Sequence, residues 1–252
     1  MKQHATHVAT SDATSITVRG RNLVDELIGE RSFTEMLYFL ICHRFPSPGE
    51  TRVLDACLVT LMEHGWTPTS IVARLTADSV PGQAQVAIAA GLLAVGDVFA
   101  GTMDGCAKLL ATGAGEPDPD AWCREVVARH RAQRLPMPGF GHPFHKPDDP
   151  RPPRLFQVAE EAGHAGHYVK LLRRLSAELD RAAGKHLTIN ATGAIAALLL
   201  EIGVPTSIMR GVAVVSRAGG LAGHLVEEAQ SPVAREIWRL TEHGVPYVPP
   251  SE

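Results

Sequence analysis

The chain has 252 residues, with 24 Lys and Arg against 27 Asp and Glu, a formal net charge of -3, and 45% hydrophobic and 20% charged residues. That balance fits an ordinary globular protein with enough chain to bury a core, and it excludes disordered and fibrous classes. A charge this close to neutral supplies no basic face for a nucleic-acid backbone, so no nucleic-acid partner is expected.

Residues 1–17 read as a polar tail without the apolar stretch of a signal peptide. The first clear helix starts at Ser32, which has capping-box spacing to Glu35; Phe33, Met36, Leu37, Leu40 and Ile41 then share one face until Pro46 stops it. A second helix carries Val53, Cys57 and Leu61 toward His64 and Gly65. From Gln83 to Ala111 a stretch rich in small residues predicts a central helix or helix pair. Pro81, Gly82, Gln83, Gln85 and Asp97 spoil its apolar part as a bilayer span, so no membrane segment is expected. "EPDPDAWCREVVARHRAQRL" opens acidic and ends basic, as a helix dipole favours.

"PMPGFGHPFHKPDDPRPPR" is too dense in Pro and Gly for a regular element, and long loops of this kind tend to carry function. After it, "LFQVAEEAG", "YVKLLRRLSAELDRAAG", "ATGAIAALLLEIG" and "SIMRGVAVVSRAGGLAGHLVEEAQ" read as helices with glycine at their ends. Val, Ile and Thr are too scattered for a sheet, so the fold class is all-α. Cys42, Cys57, Cys106 and Cys123 form no CxxC pair and read as free core thiols, which fits a cytoplasmic location. His164 and His167 are spaced for a metal, yet glycine interrupts the segment and no third ligand is evident; no metal is expected.

Four segments hold the residues that suggest a site. "MEHGWTPT" carries His64 at a helix end, and "PGFGHPFHKPDDPR" carries His142 and Arg151 on the Pro/Gly loop. "TINATGAIA" places Asn190 and Thr192 before a helix, where Asn190 can equally serve as a cap. "SRAGGLAGH" puts Arg217 and His224 on an otherwise apolar helix, His224 being either a core hydrogen bonder or a site residue. In this order, and together with "VRGRNLVDELIGERSFTEMLYFLICHRFPS" and "GLLAVGDVFAGTMDGCAK", they resemble the citrate synthase superfamily. Within it the likeness is greatest to the citryl-CoA lyases and the C-terminal lyase module of ATP citrate lyase. It spans roughly Val18 to Gln230.

The resemblance implies a multi-helix fold with a large body and a smaller cap within about 112–220, inside a domain of 18–240 followed by an extended tail over 241–252. It implies cleavage of a carbon–carbon bond in a CoA thioester, with CoA as part of the substrate, and a homodimer or higher homo-oligomer. His142 would lie beside the hydroxyl or carbonyl of the oxaloacetate portion, and His64 would help hold carboxylates. Asn190 and Thr192 would complete the catalytic group. Arg151 and Arg217 would clamp carboxylates with His224, a task suited to the planar guanidinium. Gly139, Phe140, Gly141 and Lys146 would meet CoA.

Two departures bear on the reaction. Ala100 stands where the synthases have histidine; the lyase module of ATP citrate lyase also lacks a histidine there, and this favours lyase over Claisen condensation. Thr192 stands where the family has an aspartate, and an unassisted hydroxyl is far too weak a base to replace it. Either Asp97 or Asp104 serves instead, or the reaction differs, or the chain is a non-catalytic binder of CoA and carboxylates.

Overall fold

The computed structural model describes residues 4–98 and 101–250, so the substitution at Ala100 lies outside the described residues. The described chain is mostly α-helical, as the periodicity requires. It begins with a short antiparallel sheet of β1 (Ala9–Ser11), β2 (Ile16–Val18) and β3 (Arg21–Asn22), in the order β1-β2-β3 with Ala9 opposite Val18. The helices follow as α1 (Phe33–Cys42), α2 (Pro48–Met62), α3 (Pro68–Ser79), α4 (Ala84–Leu93), α5 (Thr102–Gly113) and α6 (Pro119–Ala132). After the long loop come α7 (Arg151–Glu161), α8 (His167–Ala183), α9 (Ala191–Glu201), α10 (Met209–Gln230) and α11 (Ala234–Gly244).

The chain forms two compact units, one of residues 1–57 and 104–209, the other of 58–103 and 210–252. The first is organised around α9, in which Ala191 and every residue from Gly193 to Leu199 is buried. A helix that is apolar on all sides belongs inside a core. Helices α7 and α8 pack on it, and α6 packs on α8. On α8, Val169, Leu171, Leu172, Leu175 and Leu179 form the buried stripe, each worth about 1.5–3 kcal/mol relative to exposure. The Tyr38 hydroxyl of α1 donates to Ile202 O (2.6 Å), which fixes the C-terminal end of α9. The opposite end of α9 then points at the loop of 133–150.

In the second unit α3 lies on α4 and α11 on α3. Gly91 permits the α3–α4 approach, because a Cβ there would stand 2.6 Å from Thr69 O. The free thiols Cys57, Cys106 and Cys123 are buried, while Cys42 is partly exposed. No described helix is long and apolar enough to cross a membrane.

Three local features differ from the sequence reading. Residues 9–22, expected to begin in a polar tail, pair as strands. Asp12 closes their turn by accepting the N–H groups of Thr14 and Ser15 (both 2.8 Å), and β-branched Ile16, Thr17 and Val18 suit an extended backbone. Strands this short leave no periodicity to detect. The polar turn after His64 opens helix α3, with Pro68 in its first turn and Thr67 N–H donating to Ser70 Oγ (2.9 Å). The extended tail read from 241 starts only after α11 ends at Gly244.

Candidate active site

In the first unit the loop of 133–150 is sewn backbone to backbone onto the segment leading into α9. Gly141 N–H donates to Thr188 O (2.8 Å), Asn190 N–H donates to Gly139 O (3.0 Å), and Phe140 and Ile189 form an antiparallel bridge between these bonds. Gly139 and Gly141 have φ of +88° and +75°, a region glycine enters without strain. Gly193 must also lack a side chain, since a Cβ there would stand 2.4 Å from Gly139 O. Lys146 is exposed on the same loop.

This seam positions His142. Its Nδ1 accepts the N–H groups of Phe144 (3.2 Å) and His145 (3.0 Å), a side-chain turn of the kind Asx residues make. A nitrogen receiving two donors carries no proton, so the neutral ring is assigned its proton on Nε2. That Nε2 lies 3.4 Å from Arg151 Nη2, and the His145 ring stacks on His142 with centroids 4.3 Å apart.

Arg151, the first residue of α7, is held by Asp149. Its Nε and Nη2 donate to Asp149 Oδ1 (2.9 Å) and Oδ2 (2.7 Å), and the same carboxylate accepts N–H from Arg151 (3.1 Å) and Ala191 (3.0 Å). Asp149 is 1% exposed. Burial pushes its carboxyl up, but the hydrogen bonds and charge of Arg151, with the Ala191 N–H, more than offset this and leave it below the ordinary carboxylate value. The bidentate pair sets the guanidinium plane and engages Nε and Nη2 of Arg151.

Asn190 is the N-cap of α9: its Oδ1 accepts Gly193 N–H (3.0 Å) and the Thr192 hydroxyl (2.7 Å), while its Nδ2 donates to Gly141 O (2.9 Å). Its amide therefore caps the helix and ties down the loop at once.

The second unit brings His64, Arg217 and His224 together around Glu63. Glu63 Oε1 accepts N–H from His64 (2.8 Å) and Gly65 (2.6 Å), and Oε2 lies 3.1 Å from His224 Nε2 and 3.9 Å from Arg217 Nη1. Arg217 and His224 stand seven residues apart on α10 and so share a face. His224 Nδ1 accepts from Arg74 Nε (3.0 Å), which leaves the ring proton on the nitrogen beside Glu63. Arg74 has a side chain only 2% exposed, donates to Glu228 Oε2 (3.0 Å), pairs with Glu227, and lies 4.9 Å from the Trp66 ring centroid. Burial lowers the Arg217 pKa, with Glu63 opposing; burial raises that of Glu63, but its backbone and His224 contacts bring it below its usual value. Gly220 lets α10 meet the end of α2, because a Cβ there would fall 2.0 Å from Met62 O.

Asp97 and Asp104 are the two sequence candidates for the missing carboxylate. Asp97 is exposed and paired with Arg210 in the second unit, and Asp104 sits in the first turn of α5. Sequence reasoning passed over Asp149, Glu63 and Arg74. Asp149 could have been found from its place just before the first turn of α7, where a carboxylate meets unsatisfied N–H groups; Arg74, a buried cation within an amphipathic helix, left no such signal.

Residues 37–241 match the family model described as the citrate synthase C-terminal domain. A citrate synthase from Synechocystis sp. is 25% identical over 224 residues, covering 85% of this chain and 54% of that relative. A citrate synthase-like protein from Phoma sp. is 24% identical over 201 residues, covering 77% of this chain and 42% of that relative. The chain thus spans about half the length of these curated relatives. The structure of citryl-CoA lyase from Hydrogenobacter thermophilus matches with a TM-score of 0.87 at 30% identity, covering 99% of this chain and 96% of that one. ATP citrate lyase from Methanosaeta concilii in complex with (3S)-citryl-CoA shares the fold, at a TM-score of 0.81 and 18% identity over 100% of this chain and 42% of that one. The chain belongs to the citrate synthase family, over the part that corresponds to the C-terminal domain.

Proposed function

We propose that the chain is a CoA-thioester carbon–carbon lyase of the citryl-CoA lyase type, cleaving citryl-CoA to acetyl-CoA and oxaloacetate or acting on a related 3-hydroxy-acyl-CoA. The observation that carries this reading is His142 itself, its Nδ1 committed to two backbone N–H groups and its Nε2 3.4 Å from an Arg151 already oriented by a buried carboxylate. In cleavage the substrate hydroxyl passes its proton to water, the carbon–carbon bond breaks toward the thioester carbonyl, and the resulting enolate takes a proton back from water at carbon. Nε2–H of His142 would hold the oxygen that turns from hydroxyl into carbonyl. Arg151 Nη1 would take a substrate carboxylate, and Arg217, His64 and His224 are proposed as further carboxylate contacts. Gly139, Phe140, Gly141 and Lys146 would meet the CoA moiety, CoA being part of the substrate with no metal required. A cytoplasmic homodimer or higher homo-oligomer completes the proposal.

The same end-to-end similarity to a citryl-CoA lyase supports lyase over condensing activity. Thr192 favours a second reading, a binder of CoA and carboxylates without turnover, because its hydroxyl is donated to Asn190 and offers no carboxylate for the carbon-protonation step. Calorimetry with CoA and oxaloacetate, followed by citryl-CoA turnover in wild type and Thr192→Asp, separates the two. The lyase reading predicts binding and turnover in wild type. The binder reading predicts binding alone, with turnover gained only in Thr192→Asp. Failure to bind either ligand contradicts both.

A further inference from the structure

His186, in the turn between α8 and α9, has each ring nitrogen against a different carboxylate. Nδ1 is 2.5 Å from Asp180 Oδ2 and Nε2 is 2.8 Å from Asp148 Oδ1. A neutral imidazole has one N–H and can donate to only one of the two, whereas its other nitrogen would face a carboxylate oxygen lone pair to lone pair. The imidazolium donates to both. The two carboxylates are not equivalent. Asp180 also accepts Leu187 N–H (2.8 Å) and its side chain is 30% exposed, while the Asp148 side chain is 66% exposed. Asp148 immediately precedes Asp149, which holds both Arg151 and the N-terminus of α9.

We infer that His186 is a positioning residue: protonated, it clamps the loop of 133–150 to the end of α8 through Asp148, and on losing its proton it keeps Asp180 and releases Asp148. The loop that carries His142 and leads into Arg151 is then less firmly held. The hydrogen bonds of Asp180 and then Asp148 raise the His186 pKa above its ordinary 6.5. With the folded value raised, the clamp is fully present below about pH 6.5 and is lost as pH rises through the raised value. The neighbouring cations act elsewhere: Arg181 is paired with Glu178, Arg131 of α6 donates to Ala182 O, and Arg151 is spent on Asp149. Lys185 adjoins His186 in sequence, but the groups in direct contact with the ring are both carboxylates.

Only the consequence for catalysis rests on the proposed lyase reading, since the clamp can be read without substrate. The test is amide exchange of peptides covering 141–150, corrected for intrinsic rates, in the full chain at about pH 6 and about pH 8.5, which bracket a histidine titration. Exposed ion pairs are worth about 0.2–1 kcal/mol, so wild type is expected to exchange roughly 1.4- to fivefold faster at the higher pH. His186→Gln and Asp148→Asn should exchange fast at both, and His186→Arg, whose fork keeps its charge, should stay slow at both. Peptides from α9 should not change. The clamp is overturned if wild type shows no pH step, if His186→Gln keeps the step, or if α9 loosens equally. A loop step without citryl-CoA turnover removes only the lyase reading; turnover without a step removes only the clamp.

Discussion

Replacing His142 by alanine should lower citryl-CoA turnover by about 10²–10³-fold, the range for losing a positioned hydrogen-bond donor to the oxygen that changes charge. Alanine also removes the acceptor for Phe144 and His145 N–H, so part of that loss would come from a loosened loop. His142→Asn separates the two effects. The Asn side-chain oxygen can take the same two N–H groups in an Asx turn, yet it offers nothing where Nε2 stood. The expected result is loop protection close to wild type in His142→Asn with turnover as low as in His142→Ala. Steady-state kinetics with amide exchange on both variants reads this, and His142→Asn turning over like wild type would remove His142 from the chemistry.

Asp149→Asn should be the most destabilising conservative change in the first unit. The carboxylate accepts from Arg151 N, Nε and Nη2 and from Ala191 N, and an amide must turn its NH₂ toward one of these donors. The Arg151 charge then has no partner. Breaking a buried pair from one side costs about 3–5 kcal/mol, and the lower end applies because the Arg151 side chain is 26% exposed and retains some water. The sign of the pH dependence follows from the lowered pKa. Asp149 stabilises the fold above its ordinary value of 3.8, and this contribution is withdrawn as pH falls through the depressed folded value. Denaturant unfolding should therefore show the full wild-type advantage near neutral pH and a shrinking one in strong acid. Substrate affinity should fall as well, because Arg151 loses the bidentate contact that orients it.

The helical body was legible because its helices bury one stripe and expose the other, as α8 does with Val169, Leu172 and Leu175, or are apolar all round, as α9 is. The Pro/Gly loop announced itself by composition, and with it His142 and Arg151. The partners that fix those side chains were not legible. Asp149 reads as one more polar loop residue until the chain folds Ala191 N–H and Arg151 onto it, and Glu63 looks like an exposed helix end until His224 arrives from α10. The Ala191–Asp149 and His224–Glu63 contacts join residues 42 and 161 positions apart, and no local pattern encodes them. Asn190 shows the converse: its cap position was readable as an alternative, while its second hydrogen bond to Gly141 O was not.

Turnover of citryl-CoA by the purified wild-type chain, with acetyl-CoA, oxaloacetate and free CoA each quantified, tests the central proposal most directly. Acetyl-CoA and oxaloacetate should appear in equal amounts with no release of free CoA. Release of free CoA in place of acetyl-CoA, or no reaction from a chain that binds CoA and oxaloacetate, would contradict it.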